Sequence, residues 1–359
     1  MEIDLDILDR RIVIDDVCAW PNLTLMPNGD VVATIWNQPC HGHWEGSSEC
    51  WASENGGVTW AYRGTPAPHK PTENRHDVGG GPAKNGDLVI MCSGKSDRPK
   101  PPADPAAESY TRSLTAGHYR TRTLAYIKAR GKDEAHLLPP LLSRSADGGR
   151  TWDIREDALP PKREGGELIP HGDLETAADG ALCQSVYTET IRPSRTYILR
   201  SDDDGYTWSP PTLLAEGFNE CDILHLGDGE WLAACRREGG ASNHLFRSRD
   251  DGHTWAHEEM LAPNGTSAVN LMRLADERVV FTSGDRSVNR RGIDVRVSLD
   301  ERGQRWSIPH RLKHIDAYTD SGYPSTVQLP DGRLVTAYYA GEDGAYRRYH
   351  MGVVLWRIR

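Results

Sequence analysis

Two sets of polar, aromatic and charged residues recur along the chain, and their types are suited to binding an anionic ligand and acting on it. The first set is Trp20, His76, Asp77, His171, Asp173, Asn219, Glu220, Asn270 and Tyr323. The second set is His41, His43, Glu45, Tyr187, Glu189, Arg236, Arg237, Arg286, Arg290, Tyr338 and Tyr339. Arginines hold a carboxylate through paired hydrogen bonds without losing their charge, and histidines exchange protons near neutral pH. Brought together, such side chains would line a binding pocket better than a core.

An eight-residue pattern, Ser-x-Asp-x-Gly-x-Thr-Trp, marks the elements that must position these residues. It is complete in three copies and altered in two, at residues 145–152, 201–208, 248–255, 53–60 and 298–306. The fourth copy has Asn for Asp, and the fifth is one residue longer and lacks the Thr. The Asp-x-Gly core is typical of a turn, because Asp hydrogen-bonds to its own backbone and Gly accepts a positive φ. Thr-Trp then favours a new strand, so each copy predicts the tip of a β-hairpin.

A second signal recurs between these hairpins, namely an apolar strand, a turn of the Asn-Gly or Asp-Gly type, and another apolar strand. It occurs six times, around residues 23–32, 85–88, 179–182, 228–231, 275–278 and 331–334. Each repeat of about 45 to 55 residues is therefore predicted to be a four-stranded antiparallel meander. Six such sheets arranged radially form a six-bladed β-propeller, an all-β fold that spans residues 1–359 as a single domain. Ile12-Val13-Ile14 is expected to close the ring beside the last blade.

The propeller prediction also says where the two residue sets lie. The innermost strand of each blade begins at the central channel, and the loop after the second strand faces the same channel. The first set occupies the predicted starts of the inner strands and the second set the exits of the second strands, so the two should meet. The second repeat carries an insertion at about residues 95–136, rich in Pro, Arg and Lys. It is either a solvated surface excursion or a lid over the central pocket.

The composition argues against several classes of partner. The net charge of −10 and the pI of about 5.8 disfavour a nucleic-acid partner or an anionic membrane surface. No apolar run approaches the roughly 20 residues that span a bilayer. The seven cysteines, none in a CxxC pair, are expected to be reduced core residues. The N-terminus shows neither a basic nor an apolar signal region, so the expected location is the cytoplasm unless a signal peptide has been trimmed.

The eight-residue pattern resembles the Asp box, or BNR repeat, of the sialidase superfamily, in which the box lies at the blade periphery away from the active site. The likeness extends to residues between the boxes. Asn219-Glu220 with Arg236 is similar to the family's segment that carries an acidic residue and the second arginine of a carboxylate-binding triad. Residues 321–325, Ser-Gly-Tyr-Pro-Ser, resemble the segment that holds the family's tyrosine nucleophile, which would be Tyr323.

These likenesses imply roles that fit the chemistry of the side chains. Tyrosine is a poor nucleophile at its usual pKa of about 10, so Glu220 would act as the base for Tyr323. A neutral nucleophile also suits an anionic substrate, which would repel a charged one. Arg290 lies where the third triad arginine is expected, with Arg286 and Arg291 as alternatives. The competing interpretations are a channel-lining aromatic for Tyr323 and a structural ion pair for Glu220 and its arginine.

The sequence also departs from the family pattern. Residues 18–21, Cys-Ala-Trp-Pro, stand where the first triad arginine is normally found, and residues 41–46, His-Gly-His-Trp-Glu-Gly, where the family has its acid/base aspartate. The general acid would then be His43, Glu45 or Asp77, of which His43 is suited to proton exchange near neutral pH. Further substrate contacts are expected from Trp20, His171, Asp173 and Arg237. The two loop histidines are too few to indicate a metal site, and no cofactor is expected.

Three functions remain open, and all of them predict a carbohydrate partner. The first is a glycoside hydrolase for a terminal acidic sugar, in which Tyr323 attacks the anomeric carbon and the covalent intermediate gives retention of configuration. The second is a polysaccharide lyase, in which Arg236 neutralises a uronate carboxylate and Tyr323 or a histidine abstracts the C5 proton. The third is a sugar-binding propeller without catalysis, because a fold does not by itself define a function.

Overall fold

The computed structural model describes residues 3–42, 44–98, 136–160, 166–189, 192–239, 242–263, 265–287, 289–315, 320–346 and 348–359. Within those ranges the chain forms 26 strands and no helix. In chain order the strands are β1 (Leu5–Asp15), β2 (Cys18–Leu25), β3 (Val31–Trp36), β4 (Ser48–Ser53), β5 (Ala61–Ala67), β6 (Glu73–Pro82), β7 (Leu88–Ser96), β8 (Leu137–Ser145), β9 (Asp153–Arg155), β10 (Ile169–Pro170), β11 (Gly172–Asp173), β12 (Glu175–Thr176), β13 (Leu182–Thr188), β14 (Arg195–Ser201), β15 (Thr212–Glu216), β16 (Phe218–Gly227), β17 (Glu230–Arg237), β18 (Asn243–Ser248), β19 (Ala256–Ala262), β20 (Thr266–Arg273), β21 (Val279–Asp285), β22 (Gly292–Val297), β23 (His310–His314), β24 (Ser321–Gln328), β25 (Leu334–Ala340) and β26 (His350–Ile358).

The strands form six sheets, and each sheet is one blade of a propeller. The blades are β2–β5, β6–β9, β10 with β12–β15, β16–β19, β20–β23, and β24–β26 with β1. This arrangement confirms the prediction of an all-β, six-bladed propeller of four-stranded antiparallel blades. One short strand crosses between blades, because β11 pairs in parallel with β6 of the second blade, with Gly172 opposite Gly79.

The ring closes where the two ends of the chain meet. β1 pairs antiparallel with β26, with Ile12 opposite Gly352 and Ile14 opposite Met351. The prediction that residues 12–14 close the ring is therefore confirmed. The N-terminal strand becomes the outermost strand of the sixth blade and covers the edge that β26 would otherwise expose.

The hydrophobic core lies between neighbouring blades. The second strand of the first blade, β3, is buried along its whole length. Its Val31, Ala33 and Ile35 belong to one apolar cluster with Val335 and Ala337 of β25 in the sixth blade. A middle strand of a propeller blade is covered on both faces, and its sequence is therefore continuously apolar instead of alternating.

The Asp boxes form the turns between the third and fourth strands of the first five blades, as the sequence predicts. In the turn from β14 to β15, Asp203 accepts hydrogen bonds from Ser201 Oγ (2.8 Å), Thr207 N (2.8 Å) and Thr207 Oγ1 (2.6 Å). Trp208 donates its indole N–H to the carbonyl oxygen of Gly205 at 3.2 Å. All of these bonds close within eight residues, so the box is a local structural device at the blade periphery.

Two further expectations can be compared with the described residues. All seven cysteines are buried, which confirms that they are core residues. No helix in the described part of the chain is long and apolar enough to cross a membrane. The insertion connects β7 to β8, and its ends meet where Ser96 N donates to the carbonyl oxygen of His136 at 2.9 Å. Residues 99–135 lie outside the described residues, so the choice between lid and surface excursion stays a prediction.

Candidate active site

The inner strands of five blades are irregular near their first residues. Register shifts fall between Cys18 and Asn22, Arg75 and Val78, Asn219 and Cys221, Thr266 and Val269, and Gly322 and Ser325. Such a bulge bends a strand and re-aims the side chain of the extra residue. Four of these irregular segments contain residues of the first sequence set, namely Trp20, Asp77, Glu220 and Tyr323. The bulges therefore explain why these side chains leave the regular blade pattern and meet one another.

Tyr323, Glu220 and Arg236 form one hydrogen-bonded group, although they come from two different blades. The Tyr323 hydroxyl donates to Glu220 Oε1 at 2.5 Å. Arg236 Nη1 donates to Glu220 Oε2 at 2.5 Å and lies 3.1 Å from the Tyr323 hydroxyl oxygen. Tyr323 and Glu220 are only 5% and 8% exposed, so the group is shielded from bulk water. The arrangement brings together the three residues on which the sequence likeness mainly rests.

The charges in this group are well defined. Burial alone would raise the pKa of Glu220, but Arg236 lowers it below its usual value, so Glu220 remains a carboxylate. Burial and the charge of Glu220 raise the pKa of Tyr323 well above its usual value, so its hydroxyl keeps its proton. Glu220 in turn raises the pKa of Arg236. The resting group is a neutral phenol that already donates its proton towards a carboxylate base.

Arg286, and not Arg290, is the second arginine of the site. The Arg286 guanidinium carbon lies 5.3 Å from the centre of the Tyr323 ring, and Nη2 donates to the Tyr339 hydroxyl at 2.8 Å. The Arg290 side chain is 68% exposed and its Nε lies 3.5 Å from Asp285. The expectation that Arg290 completes the arginine set is therefore corrected. Arg237 is also outside the group, because its side chain is exposed and lies on the opposite face of β17 from Arg236.

Aromatic rings form the wall beside Tyr323. Trp20 lies 5.5 Å from the Tyr323 ring and 5.2 Å from the rings of His41 and His76, measured between centroids. The ring of His171 meets that of Tyr323 edge-on at 6.0 Å, and burial lowers the pKa of His171, which keeps it neutral. Trp20 thus supplies an apolar surface where the family pattern has an arginine.

The three acid candidates are placed differently. Glu45 Oε2 accepts from the backbone N–H of Thr72 at 3.0 Å, and Glu45 Oε1 lies 3.4 Å from His69, so this carboxylate is already engaged outside the Tyr323 group. Burial favours neutral Asp77, but the nearby charge of His76, whose Nδ1 lies 3.0 Å from Asp77 Oδ2, lowers the pKa of Asp77 to about 2. Asp77 is therefore ionised near neutral pH and a poor proton donor. His43 lies outside the described residues.

Asp173 is held by two asparagine side chains from the first and fifth blades. Its two carboxylate oxygens accept from the side-chain amides of Asn22 and Asn270, each at 2.9 Å. Burial and neighbouring Asp222 raise the pKa of Asp173 well above its usual value. Asp173 and Tyr323 both line a cavity of about 20 Å³, which is room for about one water molecule. Asp173 is thus part of the channel floor.

The sequence interpretation missed Asp320, which organises the side of the site opposite Glu220. Asp320 Oδ1 accepts from Arg286 Nη2 at 3.1 Å and from the Tyr339 hydroxyl at 2.9 Å. Asp320 Oδ2 lies 2.6 Å from His41 Nδ1, and the Tyr349 hydroxyl donates to it at 3.4 Å. Although burial opposes ionisation, His41 and Arg286 hold the pKa of Asp320 below its usual range. Its position just before the Ser-Gly-Tyr segment was the only signal that the sequence offered.

Cys18 extends this network. The Sγ atom of Cys18 and the nearest ligand atoms of His41 and Asp320 all lie within 4.8 Å of one another, close enough to share a metal ion. Burial and the charge of Asp320 raise the pKa of the Cys18 thiol, which favours the protonated form. The Arg286 guanidinium already forms an ion pair with Asp320, and its positive charge would repel a metal ion bound there. The three residues fit a hydrogen-bonded network better than a metal centre.

Comparisons with known proteins agree with the fold. The family described as BNR repeat-like domain matches residues 123–336, more than half of the chain. A solved protein of unknown function from Dyadobacter fermentans is 21% identical with a TM-score of 0.75, and 99% of each chain is covered. No curated protein matches the sequence.

Two solved sialidases are also similar in structure. A Hadza microbial sialidase is 18% identical with a TM-score of 0.66, covering 96% of this chain and 65% of that one. Trypanosoma rangeli sialidase in complex with the inhibitor DANA is 16% identical with a TM-score of 0.64, covering 96% of this chain and 55% of that one. The chain thus spans between half and two thirds of the length of these sialidases, with which it shares the propeller fold.

Proposed function

Because the chain belongs to the family of BNR repeat-like domains, we propose that it is a sialidase-type glycoside hydrolase acting on a terminal acidic sugar. The observation that carries this proposal is the contact of 2.5 Å between the Tyr323 hydroxyl and Glu220, with Arg236 bound to the same carboxylate. A buried tyrosine that merely lined a channel would not need an ionised base beside it. The similar fold of two sialidases supports the same reaction class.

The proposed reaction uses two displacements at the anomeric carbon. In the first, the Tyr323 oxygen attacks that carbon, its proton passes to Glu220 Oε1, and the bond to the leaving oxygen breaks as a general acid protonates that oxygen. In the second, water attacks the anomeric carbon and gives a proton to the same general acid/base, the bond from that carbon to the Tyr323 oxygen breaks, and Tyr323 takes its proton back from Glu220. Two inversions give net retention of configuration. Arg236 stabilises the Glu220 carboxylate and the phenolate character that develops on Tyr323.

Arg236 and Arg286 are the proposed contacts for the substrate carboxylate. Each guanidinium has a carboxylate partner in the protein, Glu220 at 2.5 Å and Asp320 at 3.1 Å, so the two cations are nearly neutralised before substrate binds. This balance favours a substrate with a single negative charge over a polyanion. Trp20, standing where the first triad arginine would be, offers an apolar face against which a sugar ring can stack.

The test is hydrolysis of a panel of aryl glycosides that includes sialosides, uronides and neutral sugars. An acidic glycoside should be cleaved with retention, read by nuclear magnetic resonance of the first-formed anomer. Tyr323→Phe should abolish the reaction, whereas Tyr338→Phe, a buried tyrosine of the blade core, should leave it unchanged. Cleavage that survives Tyr323→Phe would overturn the proposal. Sugar binding without any cleavage would favour the non-catalytic alternative.

A polysaccharide lyase is the second candidate, and one observation favours it. His171 is half-buried, neutral and edge-on to Tyr323 at 6.0 Å, so it could accept a proton from C5 of a uronate while Arg236 neutralises the carboxylate. Elimination leaves an unsaturated uronide, which absorbs in the ultraviolet, whereas hydrolysis does not. Following ultraviolet absorbance on acidic polysaccharides in parallel with the glycoside panel separates the two reactions.

A further inference from the structure

We propose that His41, held by Asp320, is the general acid and base that acts on the leaving-group oxygen. This inference rests on the proposed hydrolase function and fills the role for which the family's aspartate is missing. His41 would donate a proton from Nε2 as the glycosidic bond breaks, and the same atom would then take a proton from the water that releases the sugar from Tyr323. The proton is returned within each turnover, so no other reactant is needed.

The contacts of Asp320 fix the orientation of His41. Asp320 accepts hydrogen bonds from Arg286, Tyr339 and Tyr349, which hold its two carboxylate oxygens in place. His41 Nδ1 lies 2.6 Å from Oδ2 of this carboxylate, so the Nδ1 proton is bound there and Nε2 is the atom that exchanges a proton. A carboxylate that holds a histidine in one tautomer and one orientation is a recurrent arrangement in acid–base catalysis.

The position of His41 suits a proton donor to the leaving group. Its ring lies 5.2 Å from Trp20 and 6.4 Å from Tyr339, and these two rings lie 5.5 Å and 6.0 Å from Tyr323. The nucleophile and His41 therefore border the same aromatic wall. The His41 side chain is 32% exposed, whereas Tyr323 is almost fully buried. A sugar seated on Tyr323 would place its leaving group on the solvent side, where His41 lies.

The loop that carries His41 is held tightly. Gly42 has a φ of 63°, and a Cβ atom there would lie 2.5 Å from the His76 ring, so only glycine allows this close approach. The buried side chain of Asn74 donates to the carbonyl oxygen of Gly42 at 2.8 Å. These two contacts place His41 against Trp20 through the backbone. The neighbouring candidate Glu45 is engaged by the N–H of Thr72 instead.

The groups that face His41 come from several elements. Asp320 is the nearest charge, and Arg286 lies behind it with the hydroxyl groups of Tyr339 and Tyr349. Cys18 lies on the adjacent inner strand.

The decisive experiment compares His41→Ala and Tyr323→Phe on two substrates of the same acidic sugar. One carries an activated aryl leaving group, which departs without protonation, and the other an alkyl or sugar alcohol, which needs a proton. His41→Ala should lose about 100- to 10,000-fold in kcat/KM on the alcohol and far less on the aryl glycoside. Added azide, a nucleophile that needs no base, should accelerate His41→Ala on the aryl glycoside. His310→Ala, a half-buried histidine of the outer strand β23, should behave as wild type.

Equal losses of His41→Ala on both substrates, or no response to azide, would overturn the assignment. Loss of activity with a chelator and its recovery with Zn²⁺ would also overturn it, because Cys18, His41 and Asp320 would then bind a metal. If Tyr323→Phe kept its activity on both substrates, the hydrolase proposal itself would fail. Thermal unfolding of each variant checks that the protein is folded. His41→Gln, whose side chain fills more of the space of the imidazole ring, should show the same difference between the two substrates as His41→Ala.

Discussion

Tyr323 and Glu220 are 103 positions apart in the chain and share a hydrogen bond of 2.5 Å. Each residue lies at an irregular point of an inner strand, one in β24 and the other in β16. Their contact therefore depends on two blades being held at a defined distance around the channel. This single relationship makes the proposed base, Glu220, and the proposed nucleophile, Tyr323, testable as a pair.

Glu220→Gln should lower kcat by about 100- to 10,000-fold, because the amide cannot accept the Tyr323 proton. Substrate affinity should change less, since Glu220 is not a proposed contact for the sugar carboxylate. Steady-state kinetics on an acidic aryl glycoside measures both effects. Glu216→Gln, an exposed residue of β15, is the matched control. A Glu220→Gln enzyme with wild-type kcat would contradict the role of the base.

Arg236→Met and Arg286→Met should each weaken the binding of an acidic-sugar inhibitor by about 10- to 100-fold. The neutral carboxamide counterpart of that inhibitor should lose much less, because only the carboxylate needs the guanidinium. Calorimetric titration of each variant with both inhibitors gives the ratio of its dissociation constant to that of the native protein. Arg290→Met is the control, since the Arg290 side chain is exposed and pairs with Asp285. If Arg290→Met weakened binding as strongly as Arg286→Met, the placement of the second arginine would be wrong.

Asp203→Ala should lower the free energy of unfolding by about 1 to 2 kcal/mol without changing the activity of the folded protein. The substitution removes three hydrogen bonds that hold the Asp box turn, from Ser201 and Thr207. Denaturant unfolding and the specific activity of the soluble fraction test both statements. Asp202→Ala changes the exposed neighbour at a variable position of the box and should have little effect. A loss of specific activity in Asp203→Ala would place the box closer to catalysis than proposed.

The acids of the channel should make the protein less stable as the pH rises. Burial, with Asp222 as a second cause, raises the pKa of Glu175 to about 8 from its ordinary value of 4.5, and burial raises that of Asp222 to about 6. Between the ordinary carboxyl pKa and the raised pKa of the folded protein, the folded state binds more protons than the unfolded state. The free energy of unfolding therefore falls as the pH rises through this range.

Glu175→Gln should remove part of this dependence, on the order of 1 to 3 kcal/mol of unfolding free energy between about pH 5 and about pH 8. Denaturant unfolding across that range measures it. Asp157→Asn, whose side chain is 88% exposed, should leave the slope unchanged. A steeper loss of stability with pH in Glu175→Gln than in the native protein would contradict the sign.

The sequence by itself determined the blades, because their signals are local. The hydrogen bonds of an Asp box close within eight residues, and a turn of the Asp-Gly type depends only on its own φ angles and side-chain oxygens. The six turns of the Asn-Gly or Asp-Gly type predicted the number of blades, and the boxes, together with these turns, predicted the ring closure by residues 12–14 and the approximate position of Tyr323 and Glu220. The likeness to sialidases then suggested the roles that we propose for these two residues.

Only the tertiary structure decided which members of nearby pairs reach the site. Arg286 and Arg290 are only four residues apart in the chain. Arg286 is held over the Tyr323 ring by Asp320, which is 34 residues away in the chain. His41 lies beside Trp20, while Glu45, in the same loop, contacts His69. Which of two neighbouring residues reaches the site depends on strand bulges, on ion pairs between blades and on the space beside the aromatic rings. These contacts join residues that are far apart in the chain, so a local sequence pattern does not predict them.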